Sequence, residues 1–477
     1  MSHSIQTLAN ITPSDRQLAW QELEFYSFIH FGINTFTDKE WGFGDESPAL
    51  FNPTDFDAMQ WVEVCKSAGI KGLILTCKHH DGFCLWPSAY TEHTVKSSPW
   101  REGNGDMVKE VAEACRLGGL AFGVYLSPWD RHDHRYGTSE YNEYFKLQLR
   151  ELLTSYGDIF CVWFDGACGE GPNGLKQVYD WDGYYEVIRE LQPGAVISVC
   201  GPDVRWCGNE AGHTRDSEWS VVPEELRDCE KIQEASQHVD DGQFAKLANS
   251  RDENLGSRDA VAGKQVTWYP AEVNTSIRPG WFYHAAEDDQ VRSLEKLLDI
   301  YYKSVGGNAT FLLNLPPDQR GRIHENDAKR MQELGDRLRA TFHHNLAFGG
   351  HATASESLDE KHDATRVLDG DKMTYWCPSE GTEHAAIELD LLEEHTFDTI
   401  LLQEHIRSGQ CIEKFHIEYL DGEIWRDLYD CTIVGYKRIC RFLPVRARKL
   451  RLIIEESRWC PTLSAVEVYL SPQDLNK

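Results

Sequence analysis

The chain has 477 residues, 41% hydrophobic and 26% charged, which excludes wholesale disorder and leaves enough apolar material for a sizeable core. Its 77 Asp and Glu outnumber 48 Lys and Arg, giving a net charge of −29. A surface that acidic repels phosphate backbones and anionic lipid, so neither a nucleic-acid nor a membrane partner is expected. The first ten residues carry no basic segment and no apolar stretch, so a secretory signal is not expected and the cytoplasm is the expected location. No uninterrupted apolar run reaches the ~18 residues of a membrane span.

From about residue 25 to 345, short apolar runs alternate with amphipathic helical patterns. The predicted strands are 25–36, 72–80, 120–129, 159–166, 195–201, 266–275 and 310–315. The first helix begins at Thr54, whose hydroxyl can cap with Asp57 three residues on, and puts Ala58, Trp61, Val62 and Cys65 on one face. Others are predicted over 107–117, 141–153, 184–191 and 291–305. Near-continuous apolar strands separated by helices indicate a parallel sheet covered on both faces. Seven such units favour an α/β fold of the TIM-barrel type. Residues 205–264 are polar and loop-rich, as expected of an insertion over the barrel mouth. Beyond an amphipathic helix at 323–343, short alternating strands at 386–389, 399–402, 415–419, 438–442, 450–454 and 464–469 predict an antiparallel β-sandwich. The expected domains are therefore a barrel over 1–344 and a sandwich over 345–477. The 14 cysteines include no CxxC pair, which argues against a zinc ribbon, and Cys77, Cys161 and Cys200 sit in apolar runs as small hydrophobes.

Catalytic groups of such barrels sit where strands end. Asp165 follows a largely apolar strand and is either a loop-capping aspartate or a carboxylate nucleophile or base, with Trp163 two residues earlier on the same strand face. His79 and His80 are adjacent, so on a regular strand they point to opposite sides and do not share one metal. His132 and His134 form an HxH pair, but in a charged run with Arg131 and Arg135 that disfavours a bound cation. Histidines that hydrogen-bond sugar hydroxyls need no metal, and His30, His79 and His80 suit that role.

Five motifs recur together: Phe28 to Gly32 around His30, Glu40-Trp41, Lys78 to Phe83 around His79 and His80, Val124 to Trp129 around Tyr125, and Val162 to Gly166 around Trp163 and Asp165. In this order they resemble the motif set of glycoside hydrolase family 29 α-L-fucosidases. Gly201 to Gly212, containing Gly-Asn-Glu210-Ala-Gly, is similar to the subfamily that cleaves α-1,3 and α-1,4 fucosyl linkages. The resemblance implies Asp165 as nucleophile and Glu210 as acid/base. It also implies a fucose pocket lined by His30, Glu40, Trp41, His79, His80, Tyr125, Trp163 and Trp281, with no metal and no cofactor. The second domain, through Ala352 to Ser355, Val367 to Gly370, Thr374 to Trp376, Ile387 to Asp390 and Asp421 to Trp425, resembles a discoidin-type, galactose-binding-like module.

The implied function is retaining exo-hydrolysis of α-1,3/1,4-linked fucose from Lewis-type oligosaccharides, by two carboxylates in a double displacement. Glu218, eight residues after Glu210, is the competing acid/base, with a support role as its alternative. Two rival functions stand beside this one: a metal-dependent hydrolase built on His79, His80, His132 and Asp165, and a noncatalytic fucose- or galactose-binding lectin.

Overall fold

The computed structural model describes residues 5–236 and 253–472. Eight parallel strands form the first unit: β1 (Phe25–Ile29), β2 (Gly72–Lys78), β3 (Ala121–Leu126), β4 (Cys161–Phe164), β5 (Val196–Val199), β6 (Arg205–Trp206), β7 (Ala271–Ser276) and β8 (Ala309–Asn314). Their spatial order is β5-β4-β3-β2-β1-β8-β7-β6. The two ends of that order meet through a single parallel bridge, Ser198 to Val204, so the sheet curls into a nearly closed TIM-type barrel. Nearly every strand residue is buried on both faces, which is why the strands read as continuous apolar runs rather than alternating ones.

The helices form where the apolar spacing predicts them. The first starts later than expected: Asp57, not Thr54, is its cap, accepting from the backbone N–H groups of Met59 and Gln60 ahead of helix Ala58–Ser67, whose Trp61, Val62 and Cys65 are fully buried. Helices Met107–Gly118, Ser139–Ser155, Trp181–Leu191, Leu294–Ser304 and Glu325–Thr341 follow the same rule. Three further expectations change. The first strand stops at Ile29, and Ile33–Thr37 is a short helix with Gly32 as its N-cap. The predicted strand 266–275 is two strands: Val266–Trp268 pairs antiparallel with Val221–Pro223 outside the barrel, and Pro270 separates it from β7. The polar stretch 205–264 is not purely an insertion, since its first two residues are β6; residues 237–252 lie outside those described.

The second unit is an antiparallel six-stranded arrangement: β9 (His351–Ala354), β10 (Ala385–Gln403), β11 (Ile412–Asp421), β12 (Ile424–Cys431), β13 (Arg438–Ser457) and β14 (Ala465–Tyr469). Two predicted pairs of strands merge into β10 and β13, whose mutual register shifts between Asp390 and His395. At that bulge the halves part company: Ala352 and Leu450 pack with the first half, Val466 and Val468 with the second, around one core that includes Ile387, Leu402 and Trp376.

The two units are joined by specific contacts. Burial alone would raise the Glu24 carboxyl, but Lys437, Lys71 and Lys372 outweigh it and hold it down at about 2. Lys437 Nζ lies 2.6 Å from Glu24. Asn308 donates to the Glu218 carbonyl (2.8 Å) and accepts from the Tyr436 N–H (2.7 Å). Ser217 reaches Thr432 (3.0 Å), and the Ser220 N–H reaches Gln410 (2.8 Å). The sandwich thus braces the loop that follows Glu210.

Candidate active site

One pocket opens where the barrel strands end, and the two carboxylates and eight wall residues implied by the resemblance line it: His30, Glu40, Trp41, His79, His80, Tyr125, Trp163, Asp165, Glu210 and Trp281. Asp165 directly follows β4. Its Oδ1 accepts the Ala167 N–H (2.8 Å) and its Oδ2 accepts the Tyr125 hydroxyl (2.9 Å). Burial raises its carboxyl above the usual aspartate range, while these two donors hold it back. Tyr125 stacks on Trp163 (5.4 Å, 23°), and Phe28 meets Trp163 edge-on (4.8 Å), forming an aromatic floor.

The histidines are arranged as neutral acceptors. Ser127 donates its only hydroxyl proton to the Trp129 carbonyl (2.6 Å), so the 2.7 Å contact with His80 Nδ1 makes that nitrogen the donor. His80 Nε2 is then a lone pair, 3.7 Å from Asp165 Oδ2. His30 is fixed in the same sense: Asn314 donates to the Trp281 carbonyl, and its Oδ1 accepts from His30 Nδ1 (2.8 Å). Burial first, then for His80 the charges of Arg131 and Lys78, pushes both imidazoles down to about 3, and burial pushes His79 well below its usual value. Among the described residues His79 Nδ1 is buried without a hydrogen-bond partner. Neutral imidazole nitrogens of this kind accept hydrogen bonds from the hydroxyls of a polyol.

Glu40 lines the pocket with its carboxylate already committed. It accepts the backbone N–H groups of Trp281 (2.8 Å) and Phe282 (3.0 Å) and pairs with His284 Nε2 (2.8 Å). It therefore pins the loop that carries Trp281. Trp281 in turn points its Nε1–H at Glu210 Oε2 (3.3 Å), so the wall and the carboxylate are in register.

Glu218 has a different setting. Its carboxylate is 1% exposed, pairs with Arg205 (2.6 Å), accepts the Arg215 N–H (3.0 Å), and does not line the pocket. His132 is also excluded: its ring stacks on His93 (3.9 Å, 11°) and its Nδ1 contacts the Gly44 carbonyl. His79, His80 and Asp165 do bring ligand atoms within 4.8 Å of one another, because the backbone after β2 turns both rings to one side. That departs from the alternation expected of a regular strand.

The sequence reading missed Trp206, Asn274 and Asn314. Trp206 Nε1 donates to Asn274 (3.0 Å), and both line the pocket. An aromatic inside the glycine-rich 201–212 stretch and an asparagine closing the apolar run of β8 were the available signals; β7, with only two apolar residues, offered none for Asn274.

Comparison with known proteins now bears on this pocket. The family profile described as Alpha-L-fucosidase matches residues 12–341. The chain belongs to the α-L-fucosidase family. A second profile, the F5/8 type C domain, matches residues 351–468. Alpha-L-fucosidase 1 of Arabidopsis thaliana is 41% identical over 96% of this chain and 87% of its own length. A Ruminococcus gnavus GH29 fucosidase solved in complex with fucose is 32% identical, with a TM-score of 0.85, covering 98% of this chain and 96% of that one. A glycoside hydrolase 29 family member from an unknown rumen bacterium is 39% identical, with a TM-score of 0.80, covering 98% of this chain and 79% of that one. This fucosidase is thus a glycoside hydrolase with a TIM-like barrel and a discoidin-like second unit.

Proposed function

We propose that this fucosidase is a retaining exo-enzyme that releases α-1,3- and α-1,4-linked L-fucose from Lewis-type oligosaccharides. The observation that carries the reading is the meeting of two unlike carboxylates in one pocket. Asp165 is anchored by two donors at the end of β4, and Glu210 sits on a loop against Trp281. In the first step Asp165 Oδ attacks the anomeric carbon while Glu210 protonates the departing glycosidic oxygen. In the second, Glu210 removes a proton from water, which attacks the same carbon and frees Asp165. His30, His79 and His80 accept hydrogen bonds from the sugar hydroxyls. The aromatic floor and Trp281 face the C5 methyl and the C–H faces. The linkage preference rests on the Gly-Asn-Glu210-Ala-Gly resemblance.

The test is fucose release from α-1,2-, α-1,3-, α-1,4- and α-1,6-linked oligosaccharides under identical conditions. Preference for the α-1,3 and α-1,4 compounds is expected. Preference for α-1,2 or α-1,6 overturns the linkage assignment.

A further inference from the structure

Beneath the pocket floor lies a carboxylate that the double displacement does not use. Glu272, in β7, is fully buried. Its Oε1 accepts the Trp163 indole N–H (2.7 Å), and its Oε2 accepts the Tyr26 hydroxyl. Tyr26 in turn accepts from Trp20 Nε1 (3.0 Å) and contacts Thr310 (3.1 Å). Among the described residues no cationic group lies within salt-bridge distance of Glu272. The titratable side chains that face it are Tyr26 from β1 and Cys161 from β4, and burial keeps both neutral. A buried carboxylate without a cation costs stability, so its presence calls for a reason.

Trp163 and Asp165 are two residues apart, hence on the same strand face, with Trp163 one layer deeper. Trp163 and Asp165 both line the pocket, so a sugar placed for attack by Asp165 rests over the floor that Trp163 forms with Tyr125 and Phe28. Glycosidic cleavage passes through an oxocarbenium-like state in which positive charge builds on the ring. An anion hydrogen-bonded to the indole N–H pushes electron density into the ring face, and that face attracts positive charge. We infer that Glu272 is a positioning residue for this reaction: through the Trp163 indole it orients the pocket floor and places a negative charge beneath the developing sugar cation. The inference rests on the proposed role of Asp165.

The carboxyl is raised by burial to about 7, with the Tyr26 and Trp163 donors holding it back, so its ionisation falls within reach of a pH profile. Activity of the wild type then rises with pH partly through Glu272, and two substitutions should move that limb in opposite directions. Glu272→Gln keeps an acceptor for Trp163 but removes the charge. Expected are a fall in kcat of about tenfold or more, a KM within about twofold, and an acidic limb displaced to lower pH. Tyr26→Phe removes one donor to the anion, at a residue outside the pocket. It should move the acidic limb to higher pH and leave the plateau close to wild type.

Both are measured as kcat and KM between pH 4 and 9, normalised to folded protein by circular dichroism. Wild-type kcat and an unmoved limb in Glu272→Gln overturn the inference, as does a loss accounted for by the unfolded fraction. If Glu272→Gln does not fold, Tyr26→Phe decides alone, and an unmoved limb there overturns it. A wild type that releases no fucose from any substrate instead defeats the functional reading itself, so the two failures are distinguishable.

Discussion

Tyr125 donates a 2.9 Å hydrogen bond to Asp165 Oδ2, the oxygen that also faces His80 Nε2 at 3.7 Å. One phenol thus fixes the orientation of the Asp165 carboxylate, the proposed nucleophile, and stabilises its ionised form. The hydroxyl belongs to β3 and the carboxylate follows β4, so strand pairing sets the contact: Tyr125 lies opposite Trp163 in the register. Removing the hydroxyl should raise Asp165 further, because burial is then opposed by the Ala167 N–H with less help. Tyr125→Phe is expected to shift the acidic limb of kcat/KM upward, with a plateau reduced about tenfold. A pH profile measures both.

Asp165→Ala should abolish turnover while the protein stays folded. Azide is expected to restore part of the activity and to yield a fucosyl azide of inverted configuration. Activity near wild type in this variant contradicts the assignment.

Glu210 and Glu218 separate by leaving group. Glu210→Ala should lose far more activity on an oligosaccharide than on an activated aryl fucoside, because protonation matters most for a poor leaving group. The basic limb of the profile should vanish with it. Glu218→Ala strands Arg205 in a buried site and is expected to cost about 3–5 kcal/mol of stability, with the leaving-group pattern unchanged. Thermal melts and paired-substrate kinetics check the two.

Glu40 and His284 give a pH signature at the pocket wall. The Glu40 hydrogen bond, then that of Asp38, raises His284 to about 9 against the opposing effect of burial. Because the folded value lies above the unfolded one near 6.5, this pairing contributes fully below about pH 6.5 and is lost as pH rises through about 9. Glu40→Gln should weaken substrate binding several-fold by freeing the Trp281 loop, and flatten the alkaline dependence of KM.

Much of the site was legible because its residues follow apolar strands: a carboxylate or imidazole after four buried residues stands out, as at Asp165 and His79. The barrel was legible for the same reason. β6 was not, since two residues with an arginine present neither alternation nor an apolar run. Nor was the division at Pro270, where two strands in different sheets share one apolar stretch. Long β10 and β13 read as pairs of short strands because their buried alternation lapses at the bulge, over Glu393 to His395 in β10. The partners of Glu40 and Glu218 were hidden: the sequence placed Glu40 in the pocket wall and left Glu218 between acid/base and support, and only the Trp281 loop and Arg205 show a wall anchor and a buried ion pair.

The sandwich bears on the site through the loop after Glu210. Removing residues from 345 onward leaves Glu24 without Lys437 and exposes the surface around Tyr302 and Phe342 that Tyr469 covers. The truncated barrel is expected to be poorly soluble and to melt several degrees lower. Since Glu24 is held near 2, its contribution to the intact protein is present above about pH 4.5 and lost as pH falls toward 2. Melting curves over that range read both effects.

His79, His80 and Asp165 are close enough to share an ion, so chelation is an informative control. Asp165 already accepts two hydrogen bonds, and activity is expected to survive exhaustive treatment with EDTA unchanged. A loss restored by a divalent cation supports the metal-dependent mechanism instead.

The most direct test of the central claim is the anomeric configuration of the first product. Proton NMR of a fucoside digest, recorded before mutarotation, follows the anomeric signals of released fucose. Attack by Asp165 followed by attack of water inverts the centre twice, so α-L-fucose should appear first and the β anomer later. Initial formation of β-L-fucose contradicts the covalent role of Asp165 and the pairing of Asp165 with Glu210.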